Sequence, residues 1–316
     1  MRAVRFDQYG TEDVLHVSDV EKPEAGGGQV VVRVRVAGVN TGEVGIRDGS
    51  MQSMSPAHFP EGEGTELSGV IESVGGGVLD WRPGDKVIGM SEVRGAQADY
   101  ALLEATNVLP KPDSLGWDTA AVTPTAGATS TAVMRALEPA SGETLVVAGA
   151  SGGVGLMVVQ RAVADGVRVI ATASERNHDV LRRLGAAATT YGDGLEARIR
   201  ALAPDGVDAF ADCHGDGNVD LAVRLGVPTD RINTIKDFPA AKRTGCKAEG
   251  MYQLDDIPGA VQETIDGVAD GRWEIPIKAR FSLAQVRDAY RRLTEPGGVG
   301  KVVLIISADE GGEPAA

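Results

Sequence analysis

The chain has 316 residues, of which 42% are hydrophobic and 24% charged, a composition typical of a globular protein with a substantial core and more often two domains than one. Its 45 acidic residues outnumber the 31 lysines and arginines and give a net charge of −14, which disfavours nucleic acids and anionic membrane surfaces as partners. Two cysteines are too few for a disulfide framework or a four-thiolate zinc site, and since no signal peptide or long apolar segment is evident, we expect a cytoplasmic protein without a membrane partner.

The first third of the chain predicts β-structure. Residues 29–39 alternate arginine with apolar residues, the period of a strand, and 67–78 and 85–90 are further short strands between glycine and proline turns. From residue 113 the sequence becomes alanine-rich with helical spacing, interrupted at Pro124. The pattern favours a small barrel or sandwich that gives way to a different domain.

Strands and helices then alternate along the middle of the chain. "ETLVVAGA", "VRVIATAS" and "VDAFADC" are predicted strands, and "GGVGLMVVQRAVADG" and "ERNHDVLRRLGA" are predicted helices. This alternation indicates βαβ units and a parallel sheet covered on both faces. A helix, a strand, a second helix and a closing strand "KVVLIIS" follow from about residue 257, and "SADEGGEPAA" is expected to be a loose tail.

A cluster of small residues follows the first of these strands with the spacing Ala150-x-Gly152-x-x-Gly155. A strand before it, a helix after it and a second strand within about 30 residues are the context of a dinucleotide fingerprint. Gly152 would let the backbone approach a pyrophosphate, Gly155 would let the helix pack on the sheet, and the helix N-terminus would attract the anion. The alternative is a tight turn without a ligand. The predicted cofactor-binding residues of this loop are Ala150, Ser151, Gly152, Gly153, Val154 and Gly155.

The end of the second strand favours NADPH over NADH. Ala173 and Ser174 stand where an NAD site carries an acidic residue for the ribose hydroxyls. A small residue and a hydroxyl leave room for a 2′-phosphate, which Arg176 can grip with its fork of donors. The acidic Glu175 does not fit a phosphate pocket. Either its side chain points away from the 2′-phosphate, or the preference for NADPH over NADH is modest.

Eight segments together resemble one family: in chain order they are "MRAVRFDQYG", "VRVRVAGVN", "SGVIESVG", "WRPGDKVIGM", "GASGGVG", "VIATASERN", "LRRLGA" and "GKVVL". The chain resembles the zinc-independent quinone oxidoreductase branch of the medium-chain dehydrogenase/reductase superfamily. The resemblance implies an α/β fold, with a GroES-like β-barrel catalytic domain (1–120 and 262–316) and a Rossmann doubly wound parallel sheet (121–261). It also implies a cofactor in the cleft and a homodimer joined through nucleotide domains.

Zinc relatives in this superfamily carry a cysteine after the "AGVN"-like strand and a histidine in a "GHE"-like turn. This chain has "VNTGEVGIRDG" and "PEGEGTE" there, without cysteine or histidine. No tetrahedral zinc site is predicted, and His58 alone makes none.

The resemblance implies roles for several further residues. Asn40 would lie in the substrate cleft and Thr129 near the nicotinamide, and both are candidate catalytic residues. Tyr191 would lie against the adenosine phosphate, and Ser174 and Arg176 would fall in the 2′-phosphate pocket. Four of these residues have a structural alternative. Asn40 could close a turn and Thr129 could be an ordinary helix residue. Tyr191 could be a packed aromatic side chain and Arg176 an exposed charge.

The chain also departs from the family pattern. No tyrosine stands between Asn40 and Tyr100, where many relatives carry one near the quinone, and the segment offers instead Met51, Met54, His58 and Phe59. Thioethers indicate an adaptable apolar pocket without a phenolic donor. Cys213 and His214 are neighbours, but strand neighbours point to opposite faces, so a catalytic pair is not predicted.

These features predict an NADPH-dependent reductase of quinones or α,β-unsaturated carbonyl compounds, in which the cofactor carries the hydride and the protein orients it. Two alternatives stay open. One is an enoyl or biosynthetic reductase with a pathway-specific substrate, and the other is an NADPH-binding sensor or structural protein with little turnover.

Overall fold

The structure is a computed structural model that describes residues 1–307, so the predicted tail beyond Ser307 lies outside the described residues. The chain divides into two compact units. The first contains residues 1–124, 276–295 and the segment that begins at Lys301, and the second contains residues 125–275 and 296–300.

The first unit is built mainly of β-strands. Its elements within residues 1–124 are β1 (Arg2–Phe6), β2 (His16–Asp19), β3 (Gln29–Val39), α1 (Thr41–Arg47), β4 (Glu61–Gly62), β5 (Glu66–Val74), β6 (Lys86–Met90), β7 (Tyr100–Glu104), β8 (Val108–Pro110) and α2 (Trp117–Ala121).

The second unit alternates helices and strands. Its elements are α3 (Thr123–Leu137, which begins at the boundary), β9 (Thr144–Ala148), α4 (Gly153–Ala164), β10 (Arg168–Thr172), α5 (His178–Arg183), β11 (Ala187–Thr189), α6 (Leu195–Leu202), β12 (Ala209–Asp212), α7 (Asn218–Arg224), β13 (Ile232–Thr234), α8 (Phe238–Thr244) and α9 (Ile257–Ala269). The chain then returns to the first unit with β14 (Ile277–Ser282), α10 (Val286–Thr294) and β15 (Lys301–Ile305).

The largest sheet of the first unit has seven strands in the order β14-β15-β3-β5-β6-β8, with β7 paired to β3. A three-stranded sheet, β2-β1-β4, completes the unit. The alternation in β3 predicts one polar face, yet most of the strand is buried. The helix α2 lies against β3 and β5, so part of the strand is covered where an open sheet would expose one face to water.

The second unit contains a five-stranded parallel sheet in the order β11-β10-β9-β12-β13. Along β9, Leu145 and Val147 belong to one hydrophobic cluster, whereas Val146 and Ala148 belong to another. Successive side chains of a strand point to opposite faces, so the two clusters cover both faces of the sheet. The predicted doubly wound arrangement is confirmed.

Two local predictions differ from the structure. The helix expected from Glu175 begins as a 3₁₀ turn, Glu175–Asn177, and becomes α-helical only at His178. Pro124 lies in the first turn of α3 rather than inside a longer helix, a position where its missing N–H costs no helical hydrogen bond.

The second unit extends to Ile275, beyond the boundary predicted after residue 261. A cut at 261 would divide α9. Thr264 on that helix accepts a hydrogen bond from Arg161 of α4 at 2.8 Å, and the Arg161 guanidinium lies 4.2 Å from the centre of the Trp273 ring. These contacts keep α9 and the residues after it in the second unit.

Candidate functional site

The glycine loop lies at the carboxyl end of β9, between that strand and α4. Gly149 has a φ of +73°, which glycine adopts without the steric penalty of a side chain. Gly152 is the N-cap of α4 and is exposed. Ser151 accepts a backbone hydrogen bond from Gly300 at 2.9 Å. The turn therefore presents exposed backbone and the N-terminus of a 12-residue helix at the edge of a parallel sheet, where α/β proteins bind ligands.

The two key glycines of the loop have different surroundings. A methyl group added at Gly155 would lie 2.4 Å from the carbonyl oxygen of Gly149, inside the contact between helix and turn. One added at Gly152 would meet the same oxygen only at 3.5 Å, an ordinary contact. Gly155 is thus required by packing inside the protein, whereas Gly152 leaves space on the exposed side. This is the cradle that a dinucleotide pyrophosphate needs, so the residues present fit that group.

The end of β10 brings two of the predicted residues together. The Oγ of Ser174 lies 3.3 Å from the hydroxyl of Tyr191, which is 57% exposed. Glu175 and Arg176 are both exposed. The guanidinium of Arg176 lies beside Gly297, where an added methyl group would come within 2.9 Å of Nη1. The two hydroxyls lie together, and Arg176 stands two residues after Ser174 in the chain; hydroxyl and guanidinium groups are donors suited to a phosphate.

The structure adds Arg198, which sequence reasoning missed. Its guanidinium donates to the carbonyl oxygens of Thr190 and Asp193, each at 2.8 Å, and to the Thr189 hydroxyl at 3.2 Å. Arg198 comes from α6 and holds the loop that carries Tyr191. Its partners are mostly backbone atoms. The sequence therefore contains no pattern of side-chain types from which this role of Arg198 could be predicted.

The turn after β12 does not provide a nucleophile. The Asp212 carboxylate accepts from the backbone of His214 at 3.0 Å and of Gly215 at 2.8 Å, and from the Thr234 hydroxyl at 2.7 Å. Burial, together with the Asp212 charge, raises the pKa of the Cys213 thiol far above its ordinary value. A raised pKa favours the neutral thiol, which is a poorer nucleophile than the thiolate.

Thr129 lies on α3 of the second unit and is 8% exposed. The helix packs closely on its neighbours: the adjacent Ser130 accepts from Arg161 at 3.1 Å, and a methyl group at Gly127 would lie 2.3 Å from Thr264 Oγ1. Thr129 is consequently held on a rigid element. Its predicted place beside a nicotinamide ring stays a prediction.

Asn40 lies in the first unit, at the N-cap of α1, and is 7% exposed. Its backbone N–H donates to Glu43 Oε2 at 2.8 Å. Its side-chain Nδ2 donates to Glu43 Oε1 at 3.3 Å and to Glu66 Oε1 at 3.0 Å, while its Oδ1 accepts from Lys301. Lys301 is also 2.8 Å from Glu66 Oε1. Asn40 therefore lies inside a buried polar cluster, and sequence separations of 26 and 261 residues hide two of its partners.

A second part of the cluster surrounds Tyr290 of α10. The tyrosine hydroxyl donates to Glu43 Oε2 at 2.6 Å and accepts from Gln97 Nε2 at 2.9 Å. The Arg47 guanidinium lies 4.2 Å from the centre of the Tyr290 ring and pairs with Glu63. These contacts join the return segment of the chain to α1.

Burial perturbs the ionisation of these groups. Burial raises the pKa of Glu63 to about 8, with the Glu43 charge acting in the same direction and Arg47 against it. Burial likewise raises the pKa of Glu43, although hydrogen bonds from Tyr290 and Asn40 oppose the shift. The pKa of Tyr290 lies well above its ordinary value because the phenol is buried beside two carboxyl groups. A buried group of this cluster can therefore carry a charge only where a specific partner compensates for its lost hydration.

The segment after α1, predicted to form an apolar pocket, has an aromatic neighbour from elsewhere in the chain. The ring of Phe59 meets Tyr9 edge to face with centroids 4.9 Å apart, and the Tyr9 hydroxyl accepts from the Ala57 backbone at 3.2 Å. Met54 and His58 are exposed. A tyrosine thus lies against this segment, although none occurs within it.

Within residues 1–307, no group of three or more histidine, cysteine, aspartate or glutamate side chains is arranged to hold a metal ion. In the same part of the chain, every helix is too short or too polar to cross a membrane. The predicted nucleotide-side residues all lie in the second unit and Asn40 in the first.

Comparison with known proteins connects these features to a family. Residues 26–113 match the alcohol dehydrogenase GroES-like domain, and residues 153–233 match the zinc-binding dehydrogenase family. The quinone oxidoreductase of Rattus norvegicus is 38% identical, over 97% of this chain and 98% of its own.

Solved structures agree with these matches. The quinone oxidoreductase of Coxiella burnetii has a TM-score of 0.85 at 26% identity, over 97% of this chain and 99% of its own. A mycobacterial protein complexed with NADPH has the same TM-score at 25% identity, over 97% of this chain and all of its own. The chain is an oxidoreductase that belongs to the quinone oxidoreductase branch of the medium-chain dehydrogenase/reductase superfamily.

Proposed function

We propose that this oxidoreductase is a zinc-independent enzyme that transfers hydride from NADPH to a quinone or an α,β-unsaturated carbonyl compound. The observation that carries the proposal is the exposed glycine loop after β9, together with β10, after which Ala173 and Ser174 stand where an acidic residue would bind the ribose of NAD. The names of the rat and Coxiella relatives support the acceptor class. The mycobacterial relative with NADPH supports the choice of cofactor.

The second unit would bind the dinucleotide through residues 150–155. Exposed backbone at Gly152 and the N-terminus of α4 would hold the pyrophosphate. Ser174, Arg176 and Tyr191 would hold the 2′-phosphate, and Thr129 would lie near the nicotinamide. When bound, NADPH supplies the hydride. The protein's own contribution is to orient the two reactants and to exclude water.

The first unit would bind the acceptor at Asn40. Conjugation makes a quinone or enone electrophilic without a metal, so the reaction requires no Lewis acid. It does require stabilisation of the negative charge that develops on the acceptor oxygen. The buried polar cluster around Asn40 contains one charged donor for that purpose, the ammonium of Lys301.

The test measures oxidation of NADPH and of NADH with benzoquinone, naphthoquinone, an alkenal and an enone, with and without EDTA. We expect acceptor-dependent oxidation of NADPH, slower oxidation of NADH and no effect of EDTA. NADPH binding without turnover of any acceptor would instead favour the sensor function. Turnover of enoyl thioesters alone would favour the pathway-specific reductase. Equal rates with NADH would refute the proposed role of Ser174 and Arg176.

We further propose that the chain forms a homodimer through its nucleotide-binding units, as the family resemblance implies. Sedimentation equilibrium tests this directly. A monomer at micromolar concentration would contradict it.

A further inference from the structure

The side-chain amide of Asn40 has its hydrogen-bonding donors fully engaged inside the protein. An asparagine amide has two N–H donors and one carbonyl acceptor. Both donors are directed at carboxylates, those of Glu43 and Glu66, and the carbonyl faces the ammonium of Lys301. These partners also fix the orientation of the amide, since a flipped amide would place its NH₂ against the ammonium. Asn40 as arranged therefore has no N–H left for an acceptor molecule.

Lys301 does have a donor to spare. An ammonium group has three N–H bonds. Two are used, on Asn40 Oδ1 and on Glu66 Oε1, the latter at 2.8 Å. Within residues 1–307, the third has no hydrogen-bond partner. The Lys301 side chain is 7% exposed and the Glu66 side chain is fully buried, so a small part of the lysine is accessible to solvent whereas its counter-ion is not.

The position of this cation in the sheet is fixed. Lys301 is the first residue of β15, whose neighbour β3 ends at Val39, and Val39 pairs with Val302. Asn40 follows directly. Backbone pairing places Lys301 close to Asn40, and the contacts with Asn40 Oδ1 and Glu66 Oε1 hold the ammonium there. Such preorganisation is what makes a charged donor effective in a water-poor site.

We propose that Lys301, and not Asn40, is the catalytic residue that binds and stabilises the anionic oxygen of the acceptor, with Asn40 and Glu66 as positioning residues. The inference rests on the proposed function for its substrate. It assigns to Lys301 the stabilisation of the negative charge that develops on the oxygen of a conjugated carbonyl compound during reduction.

The step balances without a further reactant. Hydride arrives at a carbon of the acceptor with two electrons, the conjugated π bond breaks toward oxygen, and the oxygen becomes an enolate or hydroquinone anion. The free N–H of Lys301 donates a hydrogen bond to that oxygen. A proton from water then gives the neutral product, and Lys301 remains an ammonium throughout.

The first test uses 4-nitrophenol as a probe and needs no turnover. Its anion carries charge on a conjugated oxygen and absorbs differently from the neutral phenol. We expect the wild-type protein to bind the anion preferentially and to lower the apparent pKa of the bound phenol by about one unit, a tenfold preference. Lys301→Met should lose this preference. Lys111→Met is the matched control, because Lys111 is also buried but donates to the backbone carbonyls of Pro112 and Leu115.

Removal of Lys301 alone takes one charged partner from the buried Glu66, and a loss of this kind can destabilise the unit strongly. The double variant K301M/E66Q removes both charges and keeps the test valid. If Lys301 acts only in folding, this variant regains both stability and activity. Under our proposal it regains stability and NADPH binding, yet its kcat/KM for quinone reduction falls about 100-fold. The loss should be smaller for more electron-poor quinones, whose oxygen needs less stabilisation. Lys301→Arg should retain part of the rate.

Two results would overturn the inference: nitrophenolate binding that is absent in the wild type or unchanged in K301M, or wild-type rates in K301M/E66Q. The proposed function fails separately. If the wild-type protein binds nitrophenolate through Lys301 but reduces no acceptor, the anion site stands and the reductase assignment is wrong.

Discussion

Substitution of each key glycine by alanine separates the packing role of Gly155 from the binding role of Gly152. In G155A the new methyl group would lie 2.4 Å from the Gly149 carbonyl oxygen. Ordinary contact begins near 3.4 Å, so turn and helix must separate by about 1 Å, and both are backbone. Overpacking of this kind costs about 3 kcal/mol at the upper end of its usual range. Alanine returns about 1 kcal/mol of helix propensity, which leaves a loss of about 2 kcal/mol.

G152A is the matched control because it adds the same methyl group three residues earlier in the same loop. Its nearest protein atom is 3.5 Å away, and a φ of −77° suits alanine. Alanine is a poorer N-cap than glycine, a loss below about 1 kcal/mol. The methyl group would, however, occupy the space through which the pyrophosphate approaches. We therefore expect at least a tenfold rise in the Kd for NADPH.

Two assays measure the contrast. Thermal unfolding should give a Tm about 4–8 °C lower for G155A, since 1 kcal/mol shifts the Tm of a domain of this size by about 2–4 °C. Calorimetric titration should give the weaker NADPH affinity for G152A at nearly wild-type Tm. The reasoning is wrong if G155A is as stable as the wild type, or if G152A binds NADPH with undiminished affinity.

Three further predictions concern side chains. Arg176→Ala should raise the Kd for NADPH about tenfold and leave that for NADH unchanged, because one charged hydrogen-bond donor to the 2′-phosphate is lost; equal effects on both cofactors in a binding titration would contradict the assignment. Glu63 has a pKa of about 8 in the folded protein against 4.5 as its ordinary value, so the folded state holds the extra proton between these limits and the free energy of unfolding should fall as pH rises through them. Glu63→Gln should reduce that fall in urea titrations at pH 5 and pH 8, with Glu43 still contributing to it, whereas an unchanged fall would rule Glu63 out. Cys213 should react with iodoacetamide far more slowly than a free thiol at pH 8, because its pKa is raised by burial; labelling at the rate of free cysteine, followed by mass spectrometry, would disprove this.

The sequence is informative where structure depends on neighbours along the chain. The glycine loop, β9 and α4 follow from about twenty consecutive residues. Gly155 is packed closely against the turn, as the sequence predicts, whereas the pyrophosphate role of Gly152 stays a prediction. Ser174 was expected at the 2′-phosphate and Tyr191 against the adenosine phosphate; the structure places their hydroxyls 3.3 Å apart, and both binding roles stay predictions.

The missed features depend on long-range contacts. Lys301 meets Asn40 across 261 residues, and Tyr290 meets Glu43 across 247. Neither pair follows from periodicity or composition, because sheet closure determines which buried polar groups meet. The contact of Trp273 with Arg161, 112 residues apart in a unit that extends to Ile275, is likewise invisible to periodicity.

The return of the chain to its first unit has a consequence for synthesis on the ribosome. One edge of β3 pairs with β15 through Val36–Val39, about 265 residues later in the chain. Until the last strand emerges, residues 36–39 of this edge have no partner there, and α1 lacks Tyr290. The second unit, by contrast, is nearly complete once residue 275 has been made. The nascent chain should therefore fold its middle before its beginning, and an unpaired edge strand in that interval is where a chaperone or a second nascent chain would bind.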